Sequence, residues 1–296
     1  MKTNSKYPRA LQEARDRIIA TFESEGAKAF TAPALTGLIG RYRDSWGLKA
    51  YLPTTTILNF ILSETPLRAV RLESQHYAAI DRFCWGDNVS PFEVALTLRQ
   101  NSYLSHGSAV FLLGLTDEAP TFIYVNKEQS AKPQNGTLSQ EGINRAFAAP
   151  QRKSKNIFRL GNSRFVVLSG KWTKQLGVEQ RVGPNGERLL ATGLERTLID
   201  IAVRPSYAGG VFKVAEAYRT AAGTVRVDMI AEQLAELEYT YPYHQAVGFY
   251  LERAGVPAAS LEPLRRFGVN FEFFLSHALV NPVLNTAWRI WIPSGL

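Results

Sequence analysis

The sequence predicts a mixed α/β protein, in which a winged helix-turn-helix is followed by a larger α/β region with helical C-terminal packing. Three observations predict this class. Helix-period segments followed by two alternating segments fill residues 1–90, helical and strand patterns mix over residues 91–190, and glycine-separated helical segments fill residues 191–296. We therefore expect a DNA-binding domain over residues 1–90 and a second domain over residues 91–296, divisible at residue 190.

The first block has the element order of a winged helix. Apolar residues at helical spacing predict helices over residues 8–24, 32–46 and 54–63. Alternating apolar residues predict strands over residues 67–73 and 77–85, joined by a polar turn at Ser74-Gln75-His76. Three helices and then a hairpin are typical of this DNA-binding fold.

The third helix is the predicted recognition helix. Its short polar side chains suit contacts with phosphates and base edges, and basic residues before and after it suit phosphate clamps. The candidate DNA-binding residues are Arg41, Arg43, Lys49, Thr54, Thr55, Thr56, Asn59, Arg68 and Arg71. An ordinary solvated helix explains the same pattern. Glu64 and Glu73 also oppose DNA binding, because a carboxylate facing DNA repels phosphate.

The second block mixes helices and strands. Helices are predicted over residues 91–99 and 109–113, and we expect Ser105-His106-Gly107-Ser108 to cap the second of these. A strand is predicted over residues 122–125, followed by a polar loop over residues 126–137. Residues 158–160 and 164–168 flank Gly161-Asn162-Ser163, a pattern that predicts a hairpin.

The third block is mainly helical. Helices are predicted over residues 192–203, 211–222, 227–236 and 243–254, and a short strand over residues 287–292. The first of these helices opens with Thr-Gly-Leu-Glu, a capping-box pattern.

The chain is basic, with a net charge of +8 and a pI of about 9.6. Residues 1–90 hold 12 Lys+Arg and 9 Asp+Glu, giving +3; residues 91–200 hold 14 and 9, giving +5; and residues 201–296 hold 8 and 8, giving 0. A polyanionic partner is therefore expected at the first two thirds of the chain. Solubility alone explains the charge equally well.

The strongest charge feature is an acid-free basic run between residues 145 and 174. Its eight cations are Arg145, Arg152, Lys153, Lys155, Arg159, Arg164, Lys171 and Lys174. The interleaved aromatic residues are Phe147, Phe158, Phe165 and Trp172. Such a run suits a nucleic-acid groove or a docking surface for an acidic protein. In the alternative interpretation, the aromatic residues belong to the hydrophobic core and the charged residues are simply exposed to solvent.

Catalytic and cofactor signals are weak. The four histidines form no metal-binding pair, Cys84 is the single cysteine, and Gly209-Gly210 lacks the lysine of a phosphate-binding loop. Arg196 and Asp200 lie four residues apart on one predicted helix, where an ion pair explains them without catalysis. We therefore predict no enzyme activity, no cofactor and no metal.

The cellular compartment is predicted from the cysteine count and the hydropathy. One cysteine permits no intramolecular disulfide, which agrees with a reducing compartment. The first residues lack the apolar core of a signal peptide, and no apolar stretch approaches the ~20 residues of a membrane span. We expect a cytoplasmic protein with no membrane partner.

Two groups of segments resemble the AbiEi family of antitoxins. The first is residues 103–109, with residues 113–116 and 121–125; the second is residues 192–200 continuing into 204–210. The residues that carry the resemblance are Ser105, His106, Gly107, Ser108, Glu195, Arg196, Asp200, Gly209 and Gly210. The likeness covers roughly residues 90–220 and is looser elsewhere.

This resemblance implies the antitoxin half of a type IV toxin–antitoxin pair, which acts in abortive infection against phage. It implies an N-terminal winged helix that binds the promoter of its own operon as a transcriptional repressor. It also implies a larger region that counteracts a nucleotidyltransferase toxin. The wing turn departs from the family pattern, which has glycine and basic residues where this chain has Glu73 and Ser74-Gln75-His76.

Two alternatives remain open. One is a stand-alone winged-helix regulator whose second region binds a ligand or another defence protein. The other is a nuclease or another enzyme that uses the scattered carboxylates.

Overall fold

A computed structural model describes residues 6–131 and 137–296. The protein is a mixed α/β fold, as predicted. The described helices are α1 (Arg9–Ser24), α2 (Ala32–Tyr42), α3 (Thr54–Glu64), α4 (Pro91–Leu96), α5 (Gly107–Leu112), α6 (Gln140–Ala148), α7 (Leu194–Val203), α8 (Val211–Ala221), α9 (Val227–Leu237), α10 (Tyr243–Arg253) and α11 (Glu262–Arg265). The described strands are β1 (Ala29–Phe30), β2 (Leu67–Leu72), β3 (Ile80–Trp85), β4 (Tyr103–Leu104), β5 (Phe122–Glu128), β6 (Ile157–Leu160), β7 (Ser163–Gly170), β8 (Val178–Val182), β9 (Arg188–Thr192), β10 (Phe273–Phe274), β11 (Val283–Asn285) and β12 (Ile290–Ile292).

The described residues divide into two compact units. The first unit comprises the described residues up to Gln100, together with Asn156–Phe165 and Val182–Leu189, and the second comprises the rest. This division differs from the predicted boundary at residue 90, because α4 belongs to the first unit. There, Glu93 Oε1 accepts a hydrogen bond from the backbone N–H of Lys28 at 2.9 Å. The sequence alone did not indicate that two later segments join the first unit.

The first unit begins with the order helix, strand, helix, helix, strand, strand. Antiparallel pairing gives the strand order β1-β3-β2, in which Leu67 pairs with Trp85 and Leu72 with Ile80. The apolar faces of α1, α2 and α3 meet in one core, where Phe22 stacks on the Trp85 ring at 4.5 Å. These are the elements predicted for a winged helix, with β1 as an addition.

Two predictions in this unit need correction. Helix α2 ends at Tyr42 rather than at residue 46, and the chain turns before Gly47, which has a φ of 75°. Strand β3 begins at Ile80 rather than at residue 77, so the turn of the hairpin is longer than predicted. The β2–β3 pairing ends at Leu72 and Ile80, and the next residue, Glu73, forms an antiparallel bridge with Arg159 through backbone hydrogen bonds of 3.0 and 2.8 Å.

A six-stranded sheet has the order β6-β7-β5-β4-β9-β8. Its inner strand β4 pairs antiparallel with β5, through Leu104 and Val125, and parallel with β9, through Leu104 and Ala191. Strand β5 extends to Glu128, so the loop predicted over residues 126–137 begins later; residues 132–136 lie outside the described ranges. The short strand β4 is the start of the first resemblance segment, residues 103–109, which continues into α5.

The second unit has its own helical core. Helix α7, buried over most of its length, packs against α8, α9 and α10. Gly248 on α10 lies against the indole ring of Trp288, so close that an added Cβ would be 2.3 Å from it. The side-chain amide of Gln245 donates to the backbone carbonyls of Trp288 at 2.6 Å and Phe271 at 2.9 Å. These contacts hold the C-terminal segment on α10.

The C-terminal segment forms a small sheet of order β10-β12-β11. The predicted strand over residues 287–292 is the central strand β12, shortened to three residues. Among residues 6–131 and 137–296, no helix is both long and apolar enough to cross a membrane.

Candidate functional site

A cavity of about 390 Å³ lies within the second unit. Its lining residues are His106, Asn126, Arg152, Lys153, Ser154, Leu168, Ser169, Gly170, Lys171, Arg196, Asp200, Val203, Arg204, Tyr207 and Tyr239. Five of these residues are basic and one is acidic. The cavity is therefore a concave site with a strong excess of positive charge.

Three separate parts of the sequence meet in this cavity. His106 comes from the first resemblance group, and Arg196 and Asp200 come from the second. The acid-free basic run supplies Arg152 and Lys153, together with Lys171. Sequence reasoning singled out each of these segments but had no means of placing them around one cavity.

His106 occupies a strained position at the start of α5. Its backbone has φ 51° and ψ −130°, a conformation that costs a residue other than glycine about 1–3 kcal/mol. The Ser105 hydroxyl lies 2.8 Å from His106 Nδ1, and neither side chain caps the helix, which corrects the predicted capping role. Burial lowers the pKa of His106 to about 4, so its ring is neutral at pH 7. The edge of the ring faces Tyr207 at 5.4 Å between centroids.

Gly107 and Ser108 fix the geometry around His106. A Cβ on Gly107 would lie 2.9 Å from the backbone oxygen of Tyr207, so only glycine allows this close approach. The Ser108 hydroxyl accepts a hydrogen bond from the backbone N–H of Tyr124 at 2.8 Å. These residues of the motif are therefore structural supports for one wall of the cavity.

Arg196 and Asp200 form the predicted ion pair. Arg196 Nε donates to Asp200 Oδ1 at 2.9 Å, and Arg196 Nη1 donates to the carbonyl of Leu176 at 2.7 Å. Burial lowers the pKa of the Arg196 guanidinium and the Asp200 carboxylate raises it, and the net direction is upward. Arg196 therefore stays charged, and its charge is balanced by Asp200.

The remaining four cations differ in the number of hydrogen bonds and other contacts that their side chains make within the protein. Among the described residues, the side chains of Arg152 and Lys153 make no hydrogen bond or ion pair. Arg204 Nη1 donates to the Arg152 carbonyl at 3.1 Å, and its guanidinium lies 5.9 Å from the centre of the Tyr207 ring. Lys171 Nζ donates to backbone carbonyls at the end of α9, and burial lowers its pKa.

Asn126 has an unsatisfied polar atom in the cavity wall. Its Nδ2 donates to the Tyr103 hydroxyl at 2.6 Å, whereas its Oδ1 is buried without a hydrogen-bond partner in the described part of the chain. The side chain packs against Gly170, where an added Cβ would lie 2.5 Å from Nδ2. A buried acceptor left unpaired costs about 1–3 kcal/mol. No sequence pattern pointed to Asn126.

The other resemblance residues lie outside the cavity lining. Glu195 is buried and accepts hydrogen bonds from Arg226, from the backbone N–H at 3.2 Å and from Nε at 3.3 Å. The predicted capping box is therefore wrong, because Gly193 rather than Thr192 precedes α7 and Glu195 bonds elsewhere. Gly209 and Gly210, with φ values of 82° and 96°, form the turn that opens α8.

The residues of the basic run belong to both units. Arg145, Lys155 and Lys174 are exposed in the second unit but do not line the cavity. Arg159 and Arg164 belong to the first unit. The run predicted as a nucleic-acid or docking surface thus has members in both units, and Arg152, Lys153 and Lys171 are the members that line the cavity.

The predicted recognition helix is α3 of the first unit. Thr55 and Asn59 are exposed and lie four residues apart, hence on one face, whereas Thr54 and Thr56 are half-buried. Lys49, in the preceding turn, is also exposed. The polar face expected for contacts with base edges is therefore present.

The predicted arginine clamps have partners within the protein. Arg68 pairs with Asp87 at 2.7 Å, and Arg71 with Glu73 at 3.1 Å. The remaining contacts are Arg71 to Asp81 at 3.5 Å, Arg41 to Glu25 at 3.9 Å, and Arg43 to the carbonyls of Lys49, Ala50 and Leu52. Arg43 thus braces the turn between α2 and α3, and the others must exchange partners before they can bind phosphate.

Comparison with known proteins identifies a similar fold. The crystal structure of the RV2827C protein from Mycobacterium tuberculosis matches with a TM-score of 0.54 and 12% sequence identity. The match covers 98% of this chain and 93% of that one. At this identity the similarity concerns the fold alone. No family model and no curated protein matches the chain.

The described residues contain no group of three or more His, Cys, Asp or Glu side chains able to hold a metal ion. Cys84 is buried in β3 as a free thiol.

Proposed function

We propose that this chain is a cytoplasmic, non-catalytic DNA-binding antitoxin and autorepressor of a type IV toxin–antitoxin operon. In this role it binds the promoter of its own operon and counteracts a nucleotidyltransferase toxin. The observation that carries the DNA-binding part is the exposed polar face of α3, with Thr55 and Asn59 four residues apart. The antitoxin part rests on the sequence resemblance of the two motif groups.

The paired arginines of the first unit are compatible with this proposal. The ion pairs of Arg68 and Arg71 are exposed, and such pairs contribute only about 0–1 kcal/mol. DNA phosphates can therefore replace Asp87 and Glu73 as partners at small cost. Binding through partner exchange is weaker than binding through free cations, which suits a repressor that must leave its promoter.

A reporter gene behind the chain's own upstream DNA tests the proposal in cells. We expect the full-length protein to repress the reporter, and the double variant Thr55→Ala/Asn59→Ala to relieve repression because base contacts are lost. Gln12→Ala/Ser24→Ala, at exposed positions of α1, serves as a matched control and should leave repression intact. Co-expression with a nucleotidyltransferase encoded beside the gene should also restore growth. The absence of both repression and growth rescue would contradict the proposal.

A stand-alone regulator with a ligand-binding second unit is the second candidate. The basic cavity favours it, because the first candidate does not require a concave site of this size. A functional toxin gene beside this one supports the antitoxin. A reporter that responds to a small molecule, without a neighbouring toxin, supports the stand-alone regulator.

A further inference from the structure

We propose that the cavity of the second unit binds a phosphate-bearing small molecule of mononucleotide size. This inference concerns residues that the DNA-binding role does not use. It stands whether or not the first unit binds DNA.

The charge balance of the cavity selects an anion. Asp200, the one acid in the lining, already neutralises Arg196. The other four cations, Arg152, Lys153, Lys171 and Arg204, form no salt bridge with a carboxylate in the described residues, although the Glu238 carboxylate acts electrostatically on Lys171. The positive charges of Arg152, Lys153 and Arg204 therefore have no counter-charge from the described residues, and such a group around one concavity attracts a multiply charged anion.

The arrangement of Arg152, Lys153 and Arg204 suits the oxygens of a phosphate group. Arg152 and Lys153 are adjacent in the chain, line the same cavity and make no side-chain hydrogen bond in the described ranges. Arg204 is held in place by the Arg152 carbonyl and the Tyr207 ring. A guanidinium binds two phosphate oxygens at once, and an ammonium adds a point charge beside it.

The size and walls of the cavity suit a ligand that is larger than inorganic phosphate. A volume of about 390 Å³ falls in the range of small-molecule sites, about 300–1,000 Å³, and exceeds what one phosphate group fills. Leu168, Val203 and the ring of Tyr207 supply apolar wall. A sugar or a base attached to the phosphate can occupy this remaining space.

Two costly features of the wall support a ligand site independently of charge. His106 holds a backbone conformation that is rare outside glycine, and Asn126 Oδ1 is buried without a partner among the described residues. Strained backbone and unsatisfied buried groups concentrate where a protein contacts a ligand. Both features occur in the lining of the same cavity, which also holds the free cations.

A nucleotide and the terminal nucleotide of a single-stranded nucleic acid share this chemistry. The free molecule is the proposed ligand, because a cavity of this volume holds about one nucleotide. The test therefore also includes an oligonucleotide, which distinguishes a free nucleotide from the end of a nucleic acid.

Isothermal titration calorimetry on the full-length protein tests the proposal. The probes are the four nucleoside monophosphates, the four triphosphates, inorganic phosphate, adenosine, and a 5′-phosphorylated single-stranded octanucleotide. We expect at least one mononucleotide to bind more tightly than inorganic phosphate, and adenosine not to bind. In the variant Arg152→Gln/Lys153→Gln, the affinity of that nucleotide should fall about tenfold or more.

The matched control is Arg145→Gln/Lys155→Gln, which removes the same charge from exposed positions of the basic run outside the cavity. It should leave the affinity unchanged. A second readout is the NMR signal of the His106 ring, assigned with His106→Asn, which should shift on binding while that of exposed His76 stays in place.

Three results would overturn the proposal. One is the absence of binding by every mononucleotide at millimolar concentration. Another is equal weakening by the cavity and control variants, which indicates general electrostatic attraction. The third is binding of the octanucleotide alone, which would assign the cavity to the end of a nucleic acid.

Discussion

Arg196 Nε donates to Asp200 Oδ1 at 2.9 Å, and both side chains are less than a tenth exposed, at 4% and 7%. Both residues belong to α7 and line the basic cavity, where the Arg196 charge is balanced by Asp200, whereas the side chains of Arg152 and Lys153 make no ion pair in the described ranges. Arg196 and Asp200 therefore have a structural role in the cavity wall, and Arg152 and Lys153 are the residues with which the proposed ligand would pair.

Removing one partner of this pair should strongly destabilise the protein. In Asp200→Ala the Arg196 charge remains buried without its counter-ion, and we expect the free energy of unfolding to fall by about 3–5 kcal/mol. Denaturant unfolding followed by circular dichroism measures it. The control Glu118→Ala breaks an exposed pair with Lys213 and should leave stability nearly unchanged. Similar losses in the two variants would show that the buried pair has no special role.

The stability of the second unit should depend on pH through His106. Burial holds the pKa of this residue at about 4 in the folded state, below the usual 6.5. Between these values the unfolded chain binds more protons than the folded chain, so stability falls as the pH drops from about 6.5 towards 4. From pH 6.5 to 5 the expected contribution is about 2 kcal/mol.

The comparison for this pH dependence is His106→Asn, which does not titrate and in which asparagine tolerates a positive φ. The contributions of the other histidines are common to both proteins. Stability should therefore fall less steeply with acidification in the variant than in the parent. Identical slopes would mean that His106 is already accessible to protons in the folded state.

Gly107 should tolerate no larger residue. A Cβ at this position would lie 2.9 Å from the backbone oxygen of Tyr207, so Gly107→Ala must displace the cavity wall. We expect a loss of about 1–3 kcal/mol in unfolding free energy. Gly223→Ala, with no atom within 4 Å of the added Cβ, should change stability by less than about 1 kcal/mol. Thermal and denaturant unfolding of the two variants measures these changes. A similar loss of stability in both would show that the close contact at Gly107 is not the cause.

Removing the acids beside Arg71 should strengthen DNA binding. Glu73 and Asp81 now occupy this guanidinium, and Glu73→Gln/Asp81→Asn frees it for phosphate. The slope of log K against log salt should steepen by roughly 0.9 for each additional phosphate that the protein neutralises. Asp117→Asn/Glu141→Gln makes the same charge change at exposed positions of the second unit. Fluorescence anisotropy with labelled promoter DNA should show a steeper slope for the first variant only.

The elements that sequence reasoning located well are those defined by local periodicity. Helices α1 and α3 match their predicted ranges within one residue, because an apolar face every three or four residues is sufficient to identify them. The two-residue strands β1, β4 and β10 escaped prediction, because their pairing is set by distant partners rather than by their own sequence. Glu195 was assigned to a cap but bonds to Arg226, thirty-one residues away.

The cavity was beyond sequence reasoning for the same reason. Its parts, at His106, Arg152 and Arg196, are separated by more than forty residues at each step, and only the folded chain brings them together. The basic run was visible from composition, but its division between two units was not. Asn126 carried no signal at all, since an unsatisfied atom is a property of the packed structure.

A DNase I footprint over the DNA upstream of the gene is the most direct test of the DNA-binding role. We expect the full-length protein to protect a defined site at low salt, and protection to disappear in Thr55→Ala/Asn59→Ala while the circular dichroism spectrum is unchanged. Protection that survives in this variant would place the recognition surface away from α3. No protected site at any salt concentration, with folded protein in excess, would contradict the proposed function.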